Sequence, residues 1–230
     1  MGEIEARPEA AIVCGRLREK HPEASLYNRL CELEWDRPAG DVSECGGIML
    51  VRASAFRQVG GFDARIVAGE DPEFCLRLRR AGWKIHRLAA DMAIHDAAMV
   101  RFSQWWTRSV RSGVAYAQAA ALHGRSPDRY RVREVRSIRI WSLWFPVLIA
   151  ALAWPTQGWS LLGLGLYPLH ALRIAGRERR RGVARGRSLL YGVFCVGAKW
   201  PQLQGLIRFW RTRGKGPAII EYKGAGDRRA

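Results

Sequence analysis

Acidic residues are scarce in the second half of this sequence. Residues 129–230 hold four aspartates and glutamates against 20 lysines and arginines. Residues 1–128 are nearly balanced, with 17 acids against 18 bases, so almost all of the net charge of +17 is C-terminal. A segment so basic needs an anionic neighbour or abundant solvent, and nucleic acid and the cytoplasmic lipid surface are the two candidates. Cysteine is also sparse. Cys14, Cys31, Cys45, Cys75 and Cys195 are odd in number, and no two share a C-x-x-C spacing. That argues against a structural zinc site or a disulfide framework and for buried free thiols in a reducing compartment. Met1 to Ala10 is acidic and polar, which predicts no secretory leader in that stretch. No internal repeat or low-complexity tract is present, and a hydrophobic content of 48% excludes a disordered class.

One stretch lacks charge altogether. Ile140 to Leu172 runs for 33 residues without Asp, Glu, Lys or Arg. A straight helix of that length would span about 50 Å against a hydrocarbon core of about 30 Å. Trp154-Pro155-Thr156-Gln157-Gly158 interrupts the run near its middle. The expectation is an apolar hairpin over about 140–172, with arms of roughly 22 Å that either cross a thinned bilayer or dip in and return. Arginines 129, 131, 133, 136 and 139 precede the run, and arginines 173, 177, 179, 180, 181, 185 and 187 follow it. A hairpin puts both flanks on one side, and the positive-inside rule makes that side the cytoplasm. A soluble helical hairpin with basic ends is the plainer alternative. Farther on, Leu189, Val193, Val196, Trp200, Leu203, Ile207 and Trp210 recur at steps of four and three. This predicts one amphipathic helix over about 188–211, kinked at Pro201 and suited to a membrane interface, although a core or coiled-coil stripe has the same spacing. Residues 214–230 read as a disordered tail. Arginines that bracket a long apolar run are not what a nucleic-acid surface needs, so nucleic acid is not expected as a partner.

Residues 1–128 alternate strand-like and helix-like patterns, which favours an α/β layer. Strands are expected at Ala11–Leu17, Ile48–Val51, Trp83–Leu88 and Met92–His95. Helices are expected at Ser25–Trp35, Ser54–Val59, Asp71–Ala81 and Phe102–Leu122, the third stopped by Gly82.

The densest signal lies between Cys45 and Leu88. It comprises Gly46-Gly47, Gly60-Gly61-Phe62-Asp63, Glu70-Asp71, Cys75-Leu76-Arg77-Leu78 and Gly82-Trp83. Read as structure alone, Asp71 ahead of Pro72 would cap a helix. Gly46 and Gly47 would let backbone approach a ligand, or simply make a tight strand entry. Trp83 would stack on a sugar or sit in the core, and His95 would be a satisfied strand-end residue. Five linked elements in this order resemble the second half of the catalytic domain of family 2 glycosyltransferases, which have the GT-A fold. The resemblance covers roughly residues 11–125. It implies an inverting transfer of sugar from a nucleotide-sugar donor to a lipid-linked or polysaccharide acceptor. Asp71 would be the general base and Glu70 would contact the acceptor or support the site. Gly46 and Gly47 would lie beside the sugar, and His95 would ligate a divalent metal, manganese or magnesium. Arg108 and Arg111, near Gln104-Trp105-Trp106, would neutralise the leaving pyrophosphate, whose charge grows as it departs.

The expected fold is therefore α/β, a partial GT-A-type layer over residues 1–128 followed by apolar and amphipathic membrane helices over 129–213. No Asp-x-Asp occurs anywhere in the sequence. The family's nucleotide-binding N-terminal half is not represented, so a truncated enzyme, a split enzyme completed by a protein partner, and an inactive remnant that binds a membrane or a partner all remain open.

Overall fold

The computed structural model describes residues 2–66, 68–213, 220 and 221. Apart from Ile220 and Glu221, the expected disordered tail lies outside the described residues. The chain divides into two compact units, one running to Arg101 and the other beginning at Phe102. The units part upstream of the boundary that charge draws at Asp128, because the helix Phe102–His123 groups with the C-terminal helices.

The first unit is built on a four-stranded sheet. Its elements are β1 (Ala10–Glu19), α1 (Leu26–Trp35), β2 (Gly40–Asp41), β3 (Leu50–Val51), α2 (Ala53–Gln58), α3 (Glu70–Arg80) and β4 (Lys84–His95). Strand order is β2-β4-β1-β3, with β1 and β4 parallel at the centre and the two-residue strands antiparallel at the edges. The Ala-Ala-Ile-Val-Cys start of β1 is buried on both faces, as the inner strand of a parallel pair should be. Two expectations need correction. Trp83–Leu88 and Met92–His95 belong to one strand of 12 residues, which begins at Lys84 and carries register shifts against β1 between Cys14 and Leu17. Ile48–Val51 is a strand only at Leu50–Val51, and Ile48 and Leu50 are exposed.

The core of this unit joins Ile12 and Cys14 of β1, Phe74, Cys75 and Leu78 of α3, and Ile85 of β4, with Cys45 and Ala55 from the loop and helix between. Buried Asn28 and Glu19 tie α1 to the segment after β4. Asn28 Oδ1 accepts from the Met99 N–H (3.0 Å), and Glu19 Oε2 accepts from the Ala97 N–H (3.0 Å). The Asn28 amide in turn donates to Glu19 Oε1 (3.1 Å).

The second unit is helical. α4 (Phe102–His123) packs against α9 (Lys199–Thr212), with α5 (Val132–Arg139) alongside. α5 continues through a π-helical turn, Ile140–Trp144, into α6 (Phe145–Ala153) as one 22-residue helix, long and apolar enough to cross a membrane. A turn at residues 154–158 leads into a 3₁₀ segment, Trp159–Gly165, which packs back on α6, and then into α7 (Leu166–Arg180). α8 (Arg185–Gly197) pairs with α7. A hairpin is thus present over the charge-free run.

The helix pairs approach closely through small residues. A Cβ on Gly205 of α9 would run into the Val110 carbonyl oxygen of α4, and one on Gly192 of α8 into the Ala171 carbonyl oxygen of α7. The single amphipathic helix expected over 188–211 is instead two, with the break at Ala198. Pro201 sits in the first turn of α9, where a missing N–H costs little, rather than kinking a longer helix. The apolar stripe faces outward for much of its length. Leu189, Val193, Trp200, Ile207 and Trp210 are exposed, while Ser188, Gly192, Gly205 and Leu206 are buried.

Candidate active site

The sequence from Glu70 to Arg80 forms α3 because its ends suit the helix dipole. Glu70, Asp71 and Glu73 occupy the first turn, and Arg77, Arg79 and Arg80 the last. Gly69, in the left-handed region at φ 80°, precedes the helix, so Asp71 is its second residue and not its cap. That correction matters for chemistry, because the Asp71 carboxylate is not used to close the helix end. It reaches instead to the loop before β3, where Asp71 Oδ2 accepts a hydrogen bond from the Gly47 N–H at 2.9 Å.

One turn farther along the same face, Cys75 packs against Cys45, with the two sulfurs 3.8 Å apart. The loop Cys45–Gly47 is therefore held on α3 at two points. Gly47 has φ 85°, a backbone conformation that only glycine adopts without strain, and a side chain at Gly46 would crowd the Asp71 carboxylate at 3.3 Å. Both glycines and the half-buried Asp71 are thus brought together, as the sequence led one to expect, with Glu70 as Asp71's neighbour in the chain. Burial raises the Asp71 carboxyl above the ordinary aspartate range, the Gly47 N–H pulls it partly back, and the negative charge of Glu70 pushes it up again. A carboxylate poised this way is suited to accept a proton from an alcohol.

Gly60-Gly61-Phe62-Asp63 supports the site from outside it. Both glycines have positive φ, Phe62 stacks on Phe74 of α3 (centroids 4.7 Å apart), and Asp63 accepts from the Arg65 N–H (2.9 Å). Arg77 of α3 ties this corner down. Its Nε donates to buried Glu73 (2.9 Å) and its Nη1 to the Val59 carbonyl (2.6 Å). Spacing in the sequence showed the Glu73–Arg77 pair only as a four-residue interval and did not reveal its role as a clamp. It likewise missed that Cys14, Cys45 and Cys75 converge behind Gly46; all three are free and buried. Neighbouring Cys14 and Cys75 and its own burial drive the Cys45 thiol up, so it stays protonated.

The other candidate residues stand elsewhere. The Trp83 ring packs against the core, its Nε1–H donates to Gln58 Oε1 (2.7 Å), and the Arg52 guanidinium lies 5.9 Å from the ring centroid. Trp83 is only partly buried. His95 ends β4 with its ring stacked on Trp35 at 5.2 Å. Among the described residues no group of three or more His, Cys, Asp or Glu side chains is placed to hold a metal ion, the three buried cysteines included. Those residues therefore do not by themselves compose a site for the divalent ion expected from the resemblance. Arg108 and Arg111 are half-buried on α4, in the second unit.

Comparisons with known proteins identify the family. The chain is 34% identical to an N-acetylglucosaminyl-diphospho-decaprenol L-rhamnosyltransferase of Mycobacterium tuberculosis, over 43% of this chain and 39% of that one. It is 35% identical to a pre-mycofactocin glycosyltransferase of the same species, over 66% of this chain and 29% of the relative. It is 32% identical to rhamnosyltransferase WbbL of Escherichia coli, over 52% and 44%. The chain thus spans less than half the length of these relatives. No solved structure matches it. The model of one family, glycosyl transferase family group 2, matches residues 36–198, which contain Gly46-Gly47, Glu70-Asp71 and both arms of the hairpin, and the chain belongs to that family.

Proposed function

We propose that this chain carries the acceptor-side part of a glycosyltransferase. The enzyme passes a sugar from a nucleotide-sugar donor to a lipid-linked or polysaccharide acceptor, with inversion, at the cytoplasmic face of a membrane. The observation that carries this reading is the Asp71 carboxylate. It is half-buried, raised above its ordinary pKa, free of any capping duty and oriented by the Gly47 N–H at 2.9 Å. Asp71 removes the proton of the acceptor hydroxyl as that oxygen attacks the anomeric carbon. The bond from that carbon to the nucleoside diphosphate breaks, and the leaving group departs with the bonding electrons. Glu70 holds Asp71 basic through its charge and borders the acceptor. Gly46 and Gly47 admit the sugar without side-chain obstruction. Arg108 and Arg111 are assigned the growing charge of the departing diphosphate, and His95 a place near the divalent ion of the complete site, whose remaining ligands come from sequence outside this chain or from a protein partner.

One relative's name supports a lipid-linked acceptor. It describes a polyprenyl diphosphate acceptor, and two of the names describe rhamnosyl transfer. The exposed apolar faces of the second unit, flanked by arginines, fit a membrane setting.

The test is sugar transfer by the purified chain, with a panel of nucleotide sugars, manganese and a prenyl-diphosphate-linked acceptor, for the chain as given and for Asp71→Asn. Transfer that disappears in Asp71→Asn supports the reading, and near-normal turnover in that variant removes Asp71 as the base. A second reading, an inactive remnant that binds a membrane or a partner, is favoured by the dispersed metal donors among the described residues. A chain that sediments with anionic vesicles but transfers no sugar from any donor would establish it.

A further inference from the structure

The N–H groups of the turn that closes the apolar hairpin are all bonded within the hairpin. The N–H groups of Thr156, Gln157, Gly158, Trp159 and Leu161 donate to carbonyls within residues 152–158, and Pro155 has no N–H to satisfy. The Ser160 N–H donates to Thr156 Oγ1 (3.1 Å), the Thr156 hydroxyl to the Leu152 carbonyl (2.6 Å) and the Ser160 hydroxyl to the Ile149 carbonyl (2.9 Å). Helix ends in water are often closed in the same way, but there solvent can replace any bond that is missing. In hydrocarbon each open backbone group costs several kcal/mol, so closure of this kind is a condition of entry. Apart from exposed Gln157, the surface of the turn is apolar. Trp154 is 92% exposed, Trp159 73% and Leu162 71%.

Length decides how far the hairpin goes. The helix Val132–Ala153 has 22 residues, but Arg133, Glu134, Arg136 and Arg139 occupy its first two turns. The uncharged part, from Ile140 to Ala153, rises about 21 Å, and the return from Trp159 to Leu172 about 24 Å, against a hydrocarbon core of about 30 Å. No charged residue stands at the turn to mark a far-side loop. Both open ends carry arginines instead, Arg133, Arg136 and Arg139 on one arm and Arg173, Arg177 and Arg179 on the other. These suit the anionic head groups of a single leaflet.

We propose that residues 140–172 form a re-entrant wedge. Both arms enter the membrane from the arginine side, and the Trp154–Trp159 turn stops inside the hydrocarbon without emerging. The occupant of this exposed apolar face is the bilayer itself. The proposal rests on the membrane setting given under Proposed function and adds its topology. The wedge anchors the second unit in one leaflet, at the depth where a prenyl-linked acceptor carries its diphosphate.

Tryptic cleavage supplies a clean readout. Residues 140–173 lie between Arg139 and Arg173 and contain no native cysteine, so a Gln157→Cys variant labels this peptide only at the turn. The full-length variant is added to sealed vesicles of phosphatidylglycerol and phosphatidylcholine. A membrane-impermeant maleimide is supplied either outside or trapped in the lumen, and labelling is read by peptide mass spectrometry. The expected result is that the chain sediments with vesicles and the turn resists both reagents, at least about tenfold slower than after dissolution in sodium dodecyl sulfate, because no reactive thiolate forms in hydrocarbon. Labelling from the lumen would overturn the wedge in favour of a crossing hairpin. Labelling from outside at the rate seen in detergent would overturn it in favour of a hairpin lying in water; either result leaves membrane binding intact. A chain that fails to sediment would overturn the membrane setting and the wedge with it.

Discussion

At the scale of single residues, Asp71 and Gly47 form the unit on which the proposed chemistry rests. Asp71→Asn keeps the acceptor for the Gly47 N–H and a near-identical shape, so circular dichroism and thermal unfolding are expected to stay near wild type. Transfer should fall by about 10²–10⁴-fold, the usual worth of a positioned base. Gly47→Ala acts differently. At φ 85° an alanine costs roughly 1–2 kcal/mol, which urea unfolding would register even though the N–H to Asp71 is retained. The pH profile follows from the raised Asp71 pKa. The base must be ionised, so the acid limb of the rate should lie above the ordinary aspartate range. Glu70→Gln removes one of the influences that raise Asp71 and should move that limb to lower pH. The linked effect on stability has the opposite sense. A carboxyl whose pKa is higher folded than unfolded favours folding below its unfolded value, and that contribution is lost as pH rises through the folded one.

At the scale of elements, much was legible where one physical signal dominated. The α3 helix announced itself by its apolar side, its arginines and the Gly82 stop, and α1 by the helical spacing of Leu26, Leu30 and Leu33, whereas its cap, the Ser25 hydroxyl accepting from the Asn28 N–H at 3.0 Å, was not read. The turn at residues 154–158 was readable from its proline and glycine. What escaped depends on partners distant in sequence. Ala89-Ala90-Asp91 looks like a strand end, yet β4 runs through it because its backbone pairs with the whole length of β1, with Arg16 opposite Asp91. The break at Ala198 is invisible to a periodicity of 3.6, since the stripe keeps its phase across two helices in succession. The placing of Asp71 in the helix rather than at its cap turned on the left-handed Gly69, which no pattern of hydrophobicity reports. The same reliance on distant partners makes two substitutions informative. Asn28→Ala strands the buried Met99 N–H and should cost about 1–3 kcal/mol in urea unfolding. Gly205→Ala drives a methyl into the Val110 backbone and should lower the thermal midpoint of the second unit by separating α4 from α9, whereas Gly176→Ala on α7, where the space is open, should raise it slightly because alanine favours the helix.

At the scale of the whole molecule, the charge that the last 102 residues carry sets how the chain meets a surface. Attraction between arginines and anionic lipid is screened as the Debye length shrinks from about 10 Å at 0.1 M salt to about 3 Å at 1 M. Salt should therefore slow capture by phosphatidylglycerol vesicles, while a salt wash should release little of the chain already seated through its apolar hairpin; co-sedimentation before and after the wash measures both. The central pairing of β1 with β4 has a consequence for how the chain is made. Ala10 lies beside Lys84 and Glu19 beside His95, so β1 leaves the ribosome well before the strand it pairs with along its whole length. Until β4 emerges, β1 has only the two-residue β3 as a strand neighbour among the described residues, and its most apolar stretch, Ala10 to Cys14, remains open to any other extended chain. A nascent chain stalled short of residue 84 is the form of this protein that a chaperone would be expected to hold.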